Sequence, residues 1–407
     1  MKQSPERSKE SSSGKECVIP QEEMLMVGNR KRKLTIGIPK ESDRFENRLC
    51  LSPQAVEILI EEGYSICIEK GAGLAANYSD LEFSEKGAVI LGSTREVYQS
   101  DIILKVSPFN IEEVELLKGN QTVFSALHLY SQSPDVIKAL IKKKVTAFAI
   151  ENYKDHDGCY AFVRSMSEIA GYSSILIASE YLSNARGGKG IMLGGITGIS
   201  PTEVVVLGAG TAGEYAARTA LGLGAQVKVF DYSLKRLRRI QDHLGQKVFT
   251  STMHKQVLEK SIKSADVLIG AVRNDLYVQK YIVSEEMISS MKPGSFVMDL
   301  SVDTGGCIET AKSMNIKNAS YSKHKVIHFC VPNIASRVPR TATIALSNIF
   351  VPLIMRIGVC GGVTSSLKHD IGLRHGAYMY NGILIDQSIA DKFGMMCRDI
   401  NLLMAVL

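Results

Sequence analysis

Short apolar runs alternate with longer stretches of helical spacing through most of this 407-residue chain. Leu34 to Ile38 reads as a strand, and Pro39-Lys40-Glu41 opens a loop that passes through Glu46-Asn47-Arg48 to Leu51-Ser52-Pro53. Pro53 suits the first turn of a helix, where its missing N–H costs nothing, and Val56, Leu59 and Ile60 follow at helical spacing. Tyr64 to Glu69 predicts a strand that ends at Gly71. Further strands are expected over Asp101 to Val106, with Lys105 at the carboxyl end, over Gln121 to Leu129, carrying His128, and over Val145 to Ile150. This alternation predicts a parallel sheet with helices on both faces.

A second alternating series begins after residue 160. Met166 to Leu182 has the pattern of a long amphipathic helix, and Arg186-Gly187-Gly188-Lys189-Gly190 follows as a loop. The run Val204-Val205-Val206-Leu207 stops at Gly208-Ala209-Gly210-Thr211-Ala212-Gly213, after which Ala216, Ala217, Ala220 and Leu221 take helical spacing. Strands are expected over Gln226 to Phe230, Ala265 to Val272, Ser295 to Leu300 and Val326 to Val331, with helix again from about residue 340. The pattern predicts an α/β protein of two Rossmann-like, doubly wound domains. The nucleotide domain, 164–337, is inserted into a discontinuous substrate domain made of 34–163 and 338–407. Residues 1–33 are polar, contain Ser11-Ser12-Ser13-Gly14, and lack the apolar centre of a signal peptide, so a disordered extension is expected there. Ile344 to Cys360 is apolar but holds Ser347, Asn348, Pro352 and Arg356. It is expected to be a buried helix, too short and too polar to span a bilayer.

Composition changes this picture little. The net charge of +6 is mild and, apart from Arg30-Lys31-Arg32-Lys33, is spread along the chain, so neither nucleic acid nor membrane is expected as a partner. Eight cysteines occur singly, without a Cys-x-x-Cys pair, as expected of reduced thiols in a cytoplasmic protein. The histidines show no ligand spacing. His324 and His328 are four apart, but His328 falls in a strand, so no metal site is expected.

The chemistry gathers at the ends of strands. Gly208 permits a tight turn, Gly210 lets the backbone approach a pyrophosphate, and Gly213 lets helix and strand pack closely, while the N–H groups of the helix start face the phosphates. Asp231 closes the next strand, 18 residues after Gly213, where a carboxylate accepts hydrogen bonds from a ribose diol. Because α/β folds bind ligands beyond the carboxyl ends of their strands, Arg48, Lys105, His128 and Asp303 form the second group of candidates. Arg48 suits a two-pronged clamp on a carboxylate, Lys105 a point charge on a carbonyl oxygen, His128 proton exchange near neutral pH, and Asp303 the orientation of water. Singly, each is more commonly a solvated or core residue. Their shared topological position is what joins them.

Several ordered blocks resemble those of one family. They are Gly37-Ile38-Pro39-Lys40-Glu41 with Glu46-Asn47-Arg48, Leu127-His128-Leu129, Met166-Ser167-Glu168-Ile169-Ala170-Gly171, Gly187-Gly188-Lys189-Gly190, the Gly208 turn, Met291-Lys292-Pro293-Gly294-Ser295, Asp303-Thr304-Gly305-Gly306, and Val338-Pro339-Arg340-Thr341-Ala342-Thr343. From about residue 34 onward the chain resembles the bacterial alanine dehydrogenases, in the superfamily shared with the nicotinamide nucleotide transhydrogenase α subunit. The resemblance implies reversible oxidative deamination of L-alanine with NAD, in a homohexamer with its active site in a cleft between domains. It implies catalytic His128 and Asp303 and substrate-binding Arg48 and Lys105. For the cofactor it implies Ser167, Gly208, Ala209, Gly210, Thr211, Ala212, Gly213, Asp231, Arg236, Val272 and Asn333. The chain departs from the family pattern at Val106-Ser107-Pro108-Phe109, Ala126, Tyr172, Arg273-Asn274-Asp275-Leu276, Thr304 and Ile334-Ala335-Ser336. Two alternatives therefore stay open: a transhydrogenase-type NAD(H)-binding subunit, and a reductase for a different amino or keto acid.

Overall fold

The computed structural model describes residues 34–272 and 281–406. The expectation for residues 1–33 and the departure at 273–276 lie outside the described residues. Six strands come first: β1 (Thr35–Ile38), β2 (Ser65–Glu69), β3 (Val89–Leu91), β4 (Ile102–Leu104), β5 (Thr122–Ser125) and β6 (Thr146–Ala149). Seven follow the long central helix: β7 (Glu203–Leu207), β8 (Gln226–Phe230), β9 (Phe249–Ser251), β10 (Val267–Gly270), β11 (Phe296–Asp299), β12 (Ser320–Lys323) and β13 (Val326–Phe329). The chain closes with β14 (Ala377–Tyr380) and β15 (Ile383–Leu384).

These strands make two sheets. One has the order β3-β2-β1-β4-β5-β6-β14-β15 and the other β9-β8-β7-β10-β11-β13-β12. The first six strands of each order are parallel, and β14, β15 and β12 are added antiparallel. Both sheets thus have the same doubly wound order, reversing between β1 and β4 in one and between β7 and β10 in the other. Because β14 and β15 return to the first sheet, the second sheet is inserted within the chain of the first.

Helices position these edges. Ser52 accepts from the Ala55 N–H and caps α1 (Pro53–Glu61), whose Val56 and Leu59 enter the first core. The helix α2 (Ala161–Leu182) serves both cores: Phe162 packs into the first, and Ile175, Ala178 and Leu182 into the second. Where it crosses α3 (Thr211–Gly222), a methyl group on Gly171 would meet the Ala212 carbonyl oxygen at 2.3 Å, so glycine sets the approach. A further helix, α4 (Leu234–Leu244), follows β8, and α5 (Pro339–Val359) lies against the first sheet, with Phe350 edge-on to Phe124. By length and composition α5 could cross a membrane, contrary to the sequence expectation. Leu346, Phe350, Leu353, Ile354 and Ile357, however, are buried in the first core.

The observed strands are shorter than the apolar runs that mark them, because the pairing stops where the chain turns toward the sheet edge. Asp101 to Val106 is reduced to β4, and Gln121 to Leu129 to β5, which leaves His128 beyond the strand. The expectation of helix from residue 340 onward fails at β14 and β15, a hairpin turned by Asn381 (φ 48) and Gly382 (φ 76). Asn-Gly between apolar runs is the sequence signal of such a turn.

Candidate active site

The second sheet presents the glycine turn at its switch point. Val204 to Leu207 are fully buried and end at Gly208, whose φ of +97 favours glycine. An added methyl group at Gly213 would lie 1.8 Å from the Gly208 carbonyl oxygen, so this residue fixes how closely α3 meets β7. At Gly210 the same group would meet nothing within 4 Å: the space above the start of α3 is open, and no side chain caps that helix. Asp231 is buried; Oδ2 accepts from the Ala209 N–H at 2.7 Å and Oδ1 from the Ser233 N–H at 2.7 Å. Asp231 therefore holds the turn. Arg236 reaches to 3.9 Å from Asp231 Oδ2, and Arg239 donates to the Ala209 carbonyl at 2.9 Å. Val272, after β10, accepts from the Ser301 hydroxyl at 2.6 Å, and Ser167 is half-buried on α2. An open glycine, uncapped helix N–H groups and a buried acid at the end of β8 fit a dinucleotide.

The first sheet carries the cations at its own switch point. Arg48 follows β1. Its Nε and Nη2 donate to the two oxygens of Glu46 at 2.7 and 2.6 Å, whereas Nη1 makes no hydrogen bond among the described residues. Burial opposes the charges of this pair, but each partner outweighs that penalty: Glu46 titrates below its ordinary 4.5, and Arg48 is held still more firmly protonated than a free guanidinium. Glu46 Oε2 also accepts from Asn333 Nδ2 at 2.8 Å, and Asn333 (φ 56) follows β13 of the other sheet. Ser336 adds two bonds to the same loop, accepting from the Asn47 N–H and donating to the Phe45 carbonyl, both at 2.8 Å. The loop that carries Arg48 is thereby fastened to the far sheet.

Lys105 follows β4 and is completely buried. Its ammonium donates to Glu41 at 2.7 Å and Ser107 at 2.6 Å and lies 3.2 Å from Glu113. Burial works against its charge, and the two carboxylates overcome it, so Lys105 titrates above its ordinary 10.5. All three of its N–H directions have protein partners. Sequence reasoning expects a donor free for substrate; the structure gives a cation enclosed by Glu41, Glu113 and Ser107.

His128 and Asp303 occupy equivalent places. His128 leaves β5 and Asp303 lies in a short turn after β11, the fifth strand of each winding, and both are exposed. No hydrogen bond or ion pair joins these two side chains. His128 has φ +45, a left-handed conformation that costs a branched or bulky residue about 1–2 kcal/mol. Asp299, fully buried, organises the loop of Asp303: Oδ2 accepts from the N–H groups of Cys307 at 2.7 Å and Ile308 at 3.1 Å, and Oδ1 from Ser301. Sequence reasoning missed these buried carboxylates. Only Glu46 carried a usable signal, its place two residues before Arg48.

Paired windings, a phosphate turn at one switch point and a held guanidinium at the other define an oxidoreductase that works with a nicotinamide cofactor on a small polar substrate. The chain belongs to the alanine dehydrogenase/PNT family: its N-terminal domain matches at residues 37–170 and its C-terminal domain at 174–387. It is 38% identical to an alanine dehydrogenase of Methanococcus maripaludis, over 88% of this chain and 96% of that protein. With the alanine dehydrogenase of Bacillus subtilis it shares 34% identity, over 89% and 95%. An L-alanine dehydrogenase structure superposes with a TM-score of 0.83 at 32% identity, covering 89% of this chain and 99% of the other. A transhydrogenase from Sinorhizobium meliloti, at 24% identity and a TM-score of 0.74, shares the fold over 87% of this chain and 99% of that one.

Proposed function

We propose that the chain is an NAD-dependent L-alanine dehydrogenase that converts L-alanine reversibly to pyruvate, ammonium and NADH. The observation that carries this reading is the Arg48 loop: a guanidinium with one free edge, tied through Glu46 to Asn333 on the sheet that bears the glycine turn. In this reading 34–163 and 338–407 hold the amino acid, and 164–337 holds the cofactor through Ser167, the turn from Gly208 to Gly213, Asp231, Arg236, Val272 and Asn333. NAD is favoured over NADP because Asp231 repels a 2′-phosphate. Cytoplasmic location and a homohexamer complete the proposal.

Each residue then has a task. Arg48 Nη1 receives the substrate carboxylate, and the buried Lys105 charge supports the developing carbinolamine oxygen through its field. The nicotinamide held by the residues of 164–337 named above would supply the acceptor for a hydride from the substrate's Cα. His128, exposed to solvent, takes a proton from the water that adds to the imine carbon and returns it to the departing ammonia. Asp303 orients that water from the opposite sheet.

One observation favours a second reading. The N–H groups of Lys105 are all engaged, and Ser107 stands where the family pattern has a lysine, which suits a pocket for a different amino or keto acid. Formation of NADH by the purified full chain, measured against a panel of amino acids, tests both. Turnover with L-alanine above the other amino acids is expected. No turnover with alanine, together with oxidation of NADH by a keto acid and another amine, overturns the alanine assignment.

A further inference from the structure

We infer that Glu151 is a positioning residue, whose carboxylate sets the backbone turn that presents His128. This rests on the role proposed above for His128. Glu151 follows β6, the strand beside β5, so its side chain reaches sideways to the place where β5 ends. Its Oε1 accepts from two successive backbone N–H groups, Leu127 and His128, both at 2.9 Å. Two donors converging on one oxygen fix the peptide planes on either side of Leu127 and bring the chain into the left-handed conformation of His128. Beyond it the turn closes on itself: the N–H groups of Ser131 and Gln132 donate to the His128 carbonyl at 2.9 and 3.2 Å.

The other oxygen, Oε2, is buried and makes no hydrogen bond among the described residues. An acid with half its acceptor capacity unused in a dry site is a poor choice for stability, because desolvating that oxygen is not compensated. A purely structural turn would be served by a smaller or neutral acceptor. Such exceptions concentrate where geometry matters more than stability. The loop of Asp303 has the same device, with Asp299 Oδ2 accepting from the successive N–H groups of Cys307 and Ile308. His128 and Asp303 thus both stand on turns held by a carboxylate from the strand ends.

The test uses the full chain, Glu151→Gln, Glu151→Ala, Glu151→Met and His128→Ala, with kcat, KM, NADH affinity and Tm measured for each. Glutamine can place its carbonyl oxygen where Oε1 lies and keep both bonds, so kcat within about threefold of the unsubstituted chain is expected. Alanine and the similarly sized methionine remove the acceptor, and a displaced His128 should lower kcat about a hundredfold. The KM for the amino acid, set by Arg48, and the NADH affinity should stay within about threefold, since neither depends on the turn. A structural role alone would move Tm and all kinetic constants together. Full kcat in Glu151→Met, or a Glu151→Gln enzyme as slow as Glu151→Ala, overturns the proposal. So does a failure of both Glu151→Ala and Glu151→Met to fold, which would assign Glu151 to the fold. Absence of turnover in the unsubstituted chain refutes the proposed function instead. Full activity in His128→Ala refutes the role of His128.

Discussion

Gly210→Ala separates cofactor binding from stability at a single methyl group. Gly210 has φ −76 and ψ −173, a conformation open to any residue, and an added Cβ there would have no atom within 4 Å. The unliganded chain gains about 0.4–1 kcal/mol from the stiffer unfolded backbone. It loses a comparable amount, about 0.5–1 kcal/mol, because alanine is a poorer N-cap than glycine. Tm without ligand should therefore move by no more than about 2 °C. In the proposed cofactor site, however, the methyl group fills the space through which a pyrophosphate approaches the first N–H groups of α3. Forfeiting one charge-assisted hydrogen bond there costs about 1.5–3 kcal/mol, or roughly 10- to 150-fold in affinity. Titration calorimetry with NADH reads this directly. Gly213→Ala is the contrast: its methyl group would sit 1.8 Å from the Gly208 carbonyl oxygen, so Tm itself should fall. If Gly210→Ala binds NADH within twofold of the unsubstituted chain, the assignment of this turn to the phosphates is wrong.

Three further outcomes are expected. NADP should support turnover at least about tenfold less efficiently than NAD, because in the proposed cofactor site Asp231 repels a 2′-phosphate; equal kcat/KM values for the two would remove Asp231 from cofactor selection. Lys105→Met should lower stability by about 3–5 kcal/mol, since it strands Glu41 and Glu113 in the interior, and a urea midpoint equal to that of the unsubstituted chain would contradict the enclosed charge cluster. Burial holds the imidazole of His328 down at about 4, against its ordinary 6.5, with Nε2 near Thr310 Oγ1 at 2.8 Å and Nδ1 near the Val326 carbonyl at 3.0 Å. The unfolded chain binds that proton first, so stability is complete above about pH 6.5 and falls by about 3 kcal/mol toward pH 4. Urea midpoints from pH 7 to pH 4 should show this loss in the unsubstituted chain and a smaller one in His328→Gln; equal losses would refute it.

The second sheet was legible where pattern and turn chemistry agree. Val204 to Leu207, the glycines after it and Asp231 each have one conformation to offer, and β7, α3 and β8 follow. The three-residue strands β3 and β9 were not legible, because so few residues show no periodicity and their pairing is decided by the neighbouring strand. The β14–β15 hairpin did carry a signal in Asn381-Gly382, overshadowed by the apolar helix before it. Arg48, Lys105, His128 and Asp303 could be picked out because each stands beyond a strand. What surrounds them could not. Glu41, Glu113, Glu151 and Asp299 resemble any acidic residue in a chain, and only folding brings them against Lys105 or a run of backbone N–H groups.

The return of β14 to β6 has a bearing on synthesis. Thr146 and Asn381, 235 residues apart, share a hydrogen bond across this pair. As the chain leaves the ribosome, β1 to β6 emerge long before β14, and β6 is meanwhile an uncovered edge of buried residues, Thr146 to Ala149. The β7–β13 sheet, contiguous in the chain, can be completed first, while the first sheet waits on its last strands. Chains cut short before residue 377 keep the glycine turn but leave β6 open to pairing with another copy. Their hazard is aggregation more than loss of cofactor binding.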